Sequence, residues 1–361
     1  WVSALRAAET ALGSATSAVA TVTVSPTLAV TTNPAGRRAL SSGQSLTLTG
    51  ATALPGEVSL QWLRNGRPIS GATSPSYVIT SATWAHAGVY QLVATNSVGP
   101  ATSAPVYVAV AGGLQVRAWG DNSNGQTSVP IGLTDVFSIA AGANHSLALK
   151  NDGTVAGWGR NQSGQATAPA GLSNVGAIDA GADFSMALGA DGAVTTWGVI
   201  NYTPAEVGVA LAIAASPFSS QALALRLDGT VVAWDANGVR TDVPAGLSNV
   251  VAVATGGYAH IALKADGTVV TWGNALVTPS GLNNVVAVAA GSAHLLALKS
   301  AGTVVAGGND PYYGQLSVPA NLNGVVAIAA GSYLSFAIKA DRSVVTWGTY
   351  SSSLTSGALA V

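Results

Sequence analysis

The chain has 361 residues, of which 48% are apolar and only 8% are charged, and its formal net charge is −1. Such a charge offers no electrostatic surface to nucleic acid or to an anionic membrane. The chain has no cysteine, which excludes disulfides, thiolate metal ligands and cysteine nucleophiles. No apolar run reaches the roughly 18 residues that a membrane-spanning helix needs. With so few Lys and Glu, the composition favours a bacterial protein that is extracellular or at the cell surface.

Residues 1–24 repeat a later segment. Gly13–Val24 matches Gly99–Val110, including a shared Thr-Ser-Ala. The later copy ends a predicted domain, so residues 1–24 are predicted to be the terminal strand of a preceding domain of the same kind. A lone strand is not stable in water. Either the natural chain continues with more such domains, or this strand inserts into a neighbouring subunit.

Residues 25–111 predict an antiparallel sandwich, because short alternating runs are separated by Gly, Pro, Asn and Ser. Ser45–Thr49 alternates and reads as an inner strand, and Gln61–Ile69 contains Trp62 followed by an Asn-Gly turn. The domain resembles the immunoglobulin-like family, with Trp62 as its strand-C tryptophan and Tyr90 as its tyrosine corner. The family's two cysteine positions fall at Gly50 and Leu92, so a bridge worth roughly 4 kcal/mol in the chain-entropy model is missing.

Residues 112–361 contain a Trp-Gly marker at intervals of 35 to 40 residues, with two degenerate copies at Trp234-Asp235 and Gly307-Gly308. A period near 40 with about three β-runs per unit predicts a β-propeller. Each unit reads as strand A, strand B, a two-residue Asp-Gly turn and strand C. The intact markers lie at Trp119, Trp158, Trp197, Trp272 and Trp347.

The repeat markers are Ile139–Gly142, His145–Lys150 and the linker pattern Gly125-Gln126 with Val129-Pro130. They resemble the regulator of chromosome condensation repeat family, and especially its short bacterial repeats, which include β-lactamase inhibitory propellers. The resemblance covers essentially all of 114–361 and implies a propeller fold.

A count of the units predicts an all-β chain with an immunoglobulin-like sandwich followed by a seven-bladed propeller whose last blade is incomplete. Strands A and B occur six times, whereas strand C occurs seven times, because Gln115–Trp119 precedes any A or B. Gly357–Val361 follows the last marker at the distance of a new strand A. Residues from both chain ends would therefore form the last blade.

The loops between strands A and B and the residues after strand C are predicted to lie on one face, which collects aromatic residues. Tyrosine combines apolar area with a polar tip, so this face is a candidate contact surface for a protein or glycan. The alternative is that several of these side chains are half-buried loop packing. The candidate residues are Phe184, Tyr202, Phe218, Tyr258, Tyr312, Tyr313, Tyr333 and Tyr350.

No catalytic, cofactor or metal site is predicted. We take His145, His260 and His294 as occupants of one repeat position, and such positions lie around a ring instead of converging on a metal. The resemblance to the repeat family treats this histidine as part of the repeat consensus, which implies structural hydrogen bonding. Asp179 stands inside a strand A and needs a partner, but no second acid, His or Lys recurs nearby to form an acid/base pair.

The leading hypothesis is a non-enzymatic extracellular bacterial surface, matrix or fibre-forming protein, in which immunoglobulin-like spacers carry the propeller for adhesion or assembly. Its partner would be a protein or glycan, with homopolymer formation through the terminal strands as a further expectation. The alternative is a protein-binding propeller that acts as an enzyme inhibitor or receptor-like module. A polysaccharide-active enzyme fits less well, because only 15 Asp and Glu are present.

Overall fold

The computed structural model describes residues 29–33, 36–52, 58–83, 86–97, 99–111, 116–239, 242–257, 259–273, 282–308, 313–341 and 343–348. This part of the chain is all-β apart from short 3-10 segments such as Ala205–Val207, and its N-terminal domain is immunoglobulin-like. The predicted strands within residues 1–24 and 357–361 lie outside the described residues. No helix in the described part is long and apolar enough to cross a membrane.

The described residues of the immunoglobulin-like domain form nine strands in two sheets. One sheet has the order β1-β3-β6 and the other the order β2-β9-β7-β4-β5, with β8 paired to β7. Strand β2 pairs with β9 in parallel, and the other pairs are antiparallel. The strands are β1 Val30–Asn33, β2 Gly36–Ser41, β3 Leu46–Thr52, β4 Ser59–Arg64, β5 Arg67–Pro68, β6 Ser76–Ile79, β7 Gly88–Asn96, β8 Gly99–Thr102 and β9 Val106–Ala111.

The core of this domain forms around Trp62, Tyr90 and Leu92, which are all fully buried. The Tyr90 hydroxyl donates to the carbonyl of His86 at 2.9 Å, which confirms the tyrosine corner. A methyl group added at Gly50 would lie 2.0 Å from Cδ2 of Leu92. The two positions that could have held a disulfide therefore face each other, and the absence of a side chain at Gly50 makes room for Leu92.

The described part of the repeat region, residues 116–348, forms six sheets, each with strands A, B and C in antiparallel order. The third sheet adds a short fourth strand, β19 (Gly238–Val239). The sheets are β10 Val136–Ala141, β11 His145–Lys150 and β12 Val155–Gly159; β13 Val175–Ala180, β14 Phe184–Gly189 and β15 Val194–Gly198; β16 Ala210–Ala215, β17 Gln221–Arg226 and β18 Val231–Asp235; β20 Val250–Thr255, β21 Ala259–Lys264 and β22 Val269–Gly273; β23 Val285–Ala290, β24 His294–Lys299 and β25 Val304–Gly308; β26 Val325–Ala330, β27 Leu334–Lys339 and β28 Val344–Gly348.

The turns between strands B and C differ from the predicted two-residue form. In the first sheet the Gly153 amide donates to the Lys150 carbonyl, and the Lys150 amide donates to the Thr154 carbonyl. Within this turn, residues 151–154, only Gly153 has a positive φ, at 82°. This geometry is that of a longer hairpin, in which a type I turn precedes a left-handed glycine. The Asp152 carboxylate completes the turn by accepting from the Thr154 amide at 2.9 Å.

The six sheets stack in chain order, because strand A of each sheet contacts strand B of the sheet before it. Within the described residues, no strand of the last sheet makes comparable contact with the first, so a closed ring is not shown. Residues 116–119 form no strand, and Trp119 is exposed. The prediction of a seventh strand C there is therefore wrong for these residues. Among the described residues no strand pairs with this segment, and Val116 packs on the first sheet instead.

Candidate binding surface

Antiparallel pairing gives the repeat region two faces. Strand A ends where strand B begins, and His145 at that point lies opposite Gly159 at the end of strand C. The A–B loops and the residues after strand C therefore share what we term the loop face. The B–C turns, such as residues 151–154, lie on the opposite turn face. This arrangement is the one that the sequence predicted.

Tyr313 and Tyr333 form an aromatic pair on the loop face. Their ring centroids are 4.2 Å apart with an interplanar angle of 35°. Tyr333 comes from the A–B loop of the sixth sheet, and Tyr313 from the segment that follows the fifth. Tyr313 is 40% exposed, and Tyr333 is half-buried. The structure thus brings together two predicted residues from adjacent repeats and leaves part of their surface open to solvent.

Tyr202 and Phe218 lie on the loop face beside other sheets. The Tyr202 hydroxyl donates to the carbonyl of Asp235 at 2.8 Å, which joins the second repeat to the third. Phe218 is half-buried, and its Cβ would lie 3.2 Å from a methyl group added at Gly257 of the next loop. Both side chains therefore contribute to packing between repeats as well as to the surface.

Phe184 does not belong to the loop face, so its inclusion among the contact residues is wrong. It is the first residue of β14 and is fully buried, with its ring over Gly181. It occupies the position that His145 holds in the first sheet, since each lies opposite the glycine that ends strand C. Tyr258, Tyr312 and Tyr350 lie outside the described residues.

A buried polar relay joins the first sheet to the second. His145 Nε2 lies 2.9 Å from Ser185 Oγ, and Ser185 Oγ donates to the carbonyl of Gln165 at 2.8 Å. Trp197 Nε1 donates to the same carbonyl at 2.8 Å. Because the single Ser185 hydroxyl proton is used, His145 Nε2 must be the donor to Ser185. The recurring histidine is therefore structural, as the repeat pattern suggested.

The same relay joins the fifth sheet to the sixth. His294 Nε2 lies 3.0 Å from Ser335 Oγ, which donates to the Gln315 carbonyl at 3.1 Å. Trp347 Nε1 donates to that carbonyl at 2.9 Å. The Trp-Gly marker and the Gly-Gln linker thus recur together because each supplies one half of a contact.

His260 does not share the position of His145 and His294, contrary to the sequence interpretation. In the fourth sheet Ala259 lies opposite the terminal glycine of strand C, and His260 lies opposite Trp272. His260 Nδ1 lies 2.8 Å from Thr255 Oγ1, and its ring packs 5.2 Å from that of Trp272. Three residues separate strands A and B in both repeats, so His260 holds the position of Ser146 in the first sheet, opposite the marker tryptophan.

The relay histidines are poor candidates for acid/base or metal chemistry. Burial lowers the pKa of His145 to about 4, against a small opposing effect of the Asp183 carboxylate. Burial also lowers the pKa of His294 to about 4. Both rings are therefore neutral at pH 7. In each ring Nδ1 is buried without a hydrogen-bond partner among the described residues, which fits a neutral imidazole with its proton on Nε2.

Asp179 has a structural partner in the adjacent sheet. Its two carboxylate oxygens accept from the amides of Ala180 and Ala215, both at 2.8 Å. Burial raises the pKa of this carboxyl to about 6, and the two amide donors offset that rise only in part. The partner that the sequence analysis required is the backbone of β16. Asp179 thus links the second sheet to the third, where no relay histidine is available.

One polar cluster on the loop face was missed by the sequence analysis. Asp183 Oδ1 accepts from Gln165 Nε2 at 3.0 Å and lies 3.6 Å from Arg160 Nη1. Arg160 directly follows a Trp-Gly marker, and Asp183 lies in the next A–B loop. Their repeat positions could have revealed the pair. A partly exposed ion pair of this kind contributes at most about 1 kcal/mol to stability.

The described residues include a very small cavity and an open cleft. The small cavity near Ile261 and Leu296 measures about 10 Å³, which is the size of one water molecule. An open cleft of about 390 Å³ between residues 206–209 and 226–228 lies at the turn face. No group of three or more His, Asp or Glu side chains in the described part could hold a metal ion.

Two family models match the chain. The model described as "Regulator of chromosome condensation (RCC1) repeat" matches residues 138–165, and the model described as "Immunoglobulin domain" matches residues 25–110. These matches confirm both repeat-type and immunoglobulin-like predictions over those residues. The resemblance to short bacterial repeats and inhibitory propellers stays a prediction. No curated protein matches the chain.

Solved structures match the immunoglobulin-like part of the chain weakly. The crystal structure of the N-terminal four Ig domains of Dscam1 isoform 1.9 is 19% identical over 23% of this chain and 21% of that chain, with a TM-score of 0.21. That of isoform 4.44 is also 19% identical, over 23% of this chain and 20% of that chain, with a TM-score of 0.21. The chain spans about a fifth of the length of these structures.

Proposed function

We propose that the protein is a non-enzymatic adhesive protein of a bacterial surface or matrix, and that copies of the chain associate through the loop face of the repeat region. The observation that carries this proposal is the partly exposed Tyr313–Tyr333 pair, which two adjacent repeats build together. Immunoglobulin-like and RCC1-type repeat domains suggest a protein-binding or adhesion module. In this view the immunoglobulin-like domains are spacers that carry the repeat region.

The charge of the chain supports association between copies. A formal net charge of −1 over 361 residues leaves almost no long-range repulsion between identical molecules. The exposed tyrosines would then provide contact area, since aromatic residues with a polar tip are enriched at protein interfaces. A protein partner therefore fits this face better than a charged ligand does.

The described chemistry supports a binding role over a catalytic one. The relay histidines are neutral and buried, and Asp179 is engaged by two backbone amides. A polysaccharide-active enzyme would need a pair of carboxylates at one site. An enzyme-inhibitory module would use the same loop face toward a different protein, so the test below separates it from self-adhesion.

Bead aggregation tests the proposal. Latex beads coated with the full chain should aggregate at neutral pH, and the double substitution Tyr313→Ser with Tyr333→Ser should slow aggregation at least tenfold. Ile131→Ser is the matched control, because it removes a fully exposed apolar side chain from the turn that leads into β10. Wild-type beads that stay dispersed would overturn self-adhesion, as would equal loss in the Ile131→Ser beads. Binding to immobilised glycans without self-aggregation would point to a glycan partner.

Polymer formation through the terminal strands is a separate part of the proposal, since residues 1–24 lie outside the described part. Deletion of residues 1–24 should lower the sedimentation coefficient of any polymer that the terminal strands form, while association through the loop face is left intact. An unchanged sedimentation profile would show that this strand is not donated to a neighbour.

A further inference from the structure

Tyr107 is buried on the side of its strand that faces away from the immunoglobulin-like core. Along β9, Val106, Val108 and Val110 belong to that core. Successive side chains of a strand point to opposite faces, so Tyr107 points outward. It is nevertheless only 2% exposed. A group outside the sandwich must therefore cover it.

The cover is the second sheet of the repeat region. A methyl group added at Gly176 in β13 would lie 2.3 Å from Cζ of Tyr107, so the tyrosine ring rests directly on the glycine. A second contact lies beside it, because a methyl group added at Gly36 would lie 3.9 Å from Cβ of Ala190. Gly36 begins β2, the strand that pairs with β9. Both contacts lie at the turn-face end of the second sheet.

At this end the second sheet has glycine at two positions where the other five sheets have large side chains. The second residue of strand A is glycine at 176 and a large apolar residue in every other sheet. The last residue of strand B is glycine at 189 and a long cation in every other sheet. The other residues are Phe137, Leu211, Val251, Val286 and Val326 at the first position, and Lys150, Arg226, Lys264, Lys299 and Lys339 at the second.

In the fourth and sixth sheets, exposure differs in the same direction. Val251 is 53% exposed at the position of Gly176, whereas Gly176 is buried. Ala265 and Ala340 are exposed at the position of Ala190, whereas Ala190 is half-buried. A valine at 176 would overlap the tyrosine ring, since real Cβ contacts below 3.0 Å essentially do not occur.

We propose that the turn-face end of the second sheet is a docking surface for the immunoglobulin-like domain of the same chain. Tyr107 is the central contact residue of that domain, and its ring packs on Gly176. The two glycines set this sheet apart as the one that can accept the β2–β9 edge. Docking holds the repeat region by its turn face, so the loop face points away from the spacer. The proposal does not depend on what the loop face binds.

Disulfide trapping tests this docking, because the chain has no cysteine to interfere. The pair Gly36→Cys with Ala190→Cys would place its two Cβ atoms about 3.9 Å apart, within the range of a disulfide. With glutathione disulfide as oxidant, the two thiols become a disulfide and the oxidant is reduced to two glutathione thiols. We expect an intramolecular bridge, measured by intact mass, to form at least tenfold faster than in the control pair Gly36→Cys with Ala265→Cys. The control carries the same change at Gly36.

A second variant separates docking from chance proximity. Gly176→Val, added to the first cysteine pair, should slow bridging at least tenfold, because the valine displaces Tyr107. Val286→Phe adds bulk at the same position of the fifth sheet and should leave the rate unchanged. Near-ultraviolet circular dichroism verifies that each variant is folded. Equal bridging rates for the two cysteine pairs, or an unchanged rate with Gly176→Val, would overturn the proposal.

Discussion

The two regions of the molecule bury their side chains in different ways. The immunoglobulin-like domain has one core, in which Trp62, Tyr90 and Leu92 serve both sheets. The repeat region has a series of smaller clusters between adjacent sheets. Two of its junctions also contain a buried relay such as His145–Ser185–Gln165. Damage to the first region should therefore spread through a whole domain, whereas damage to the second should stay near one junction.

The largest expected effect is that of Trp62→Ala. Trp62 is fully buried and donates from Nε1 to the Ser74 carbonyl at 3.1 Å, so its removal should cost about 3–5 kcal/mol. Hydrogen exchange measured by mass spectrometry should show faster exchange across residues 29–111. Trp347→Ala, the matched change in the repeat region, should raise exchange only in the last sheets. A uniform increase across both regions after either change would contradict the comparison.

The pH dependence of stability is the next largest effect and belongs to the repeat region. In the folded protein the pKa of His145 and His294 is about 4, below the ordinary 6.5. The fold requires neutral rings, so the free energy of unfolding is highest above pH 6.5 and decreases as the pH falls toward 4. Each should contribute roughly 3 kcal/mol to that loss. In the folded protein the pKa of Asp179 is about 6, above the ordinary 3.8. Its protonation therefore raises the free energy of unfolding as the pH falls from about 6 to about 4, opposite to the effect of the histidines.

Urea denaturation between pH 4 and pH 7 measures this balance. The wild type should lose stability on acidification. The double variant His145→Phe with His294→Phe should instead become more stable at low pH, because Asp179 remains. Asp179→Asn should steepen the acid-induced loss in the histidine-containing chain. The same slope in all three proteins would show that these groups do not control the pH dependence.

An engineered disulfide should stabilise the immunoglobulin-like domain by about 1–2 kcal/mol. A Cβ atom at Gly50 would lie 3.7 Å from Cβ of Leu92, which suits a disulfide. Loop closure contributes about 4 kcal/mol, and the loss of the Leu92 side chain offsets about 2–3 kcal/mol of it. Thermal melting of Gly50→Cys with Leu92→Cys should therefore occur above that of the wild type when oxidised and below it when reduced. Equal melting in the two redox states would refute the geometry.

The smallest expected effect is that of His294→Phe at pH 7. Phe184 already fills the equivalent position in the second sheet, and the buried Nδ1 of His294 has no partner in the described residues. Loss of one neutral hydrogen bond to Ser335 should cost about 1 kcal/mol or less. His294→Ala leaves a cavity and should cost clearly more in the same chemical denaturation experiment. A larger cost for phenylalanine than for alanine would mean that the junction does not accommodate the larger ring, contrary to the example of Phe184.

Local patterns predicted what depends on local geometry. Alternation and the 35–40-residue period located the strands, and the family resemblance assigned Trp62 and Tyr90 correctly. Phe184 and His260 were misplaced because a shift of one residue in strand register moves a side chain to the other face, and the repeat pattern alone did not fix which residue begins strand B. Counting from the loop glycine would have shown that His260 lies one residue further along than His145. Ring closure and the Tyr107–Gly176 contact could not be predicted, since they join segments whose distance in space the repeat pattern leaves undefined.

The parallel pairing of β2 with β9 has a consequence for the order of folding. Gly36 pairs with Val106, a contact across most of the domain, whereas each relay in the repeat region spans about one repeat, as from His145 to Ser185. Contacts between neighbouring repeats can form one after another along the chain, while long-range pairing must close a large loop first. We therefore expect the β2–β9 pair to form in the rate-limiting step for the N-terminal domain. The edge that carries Tyr107 then becomes complete only at the end of that step.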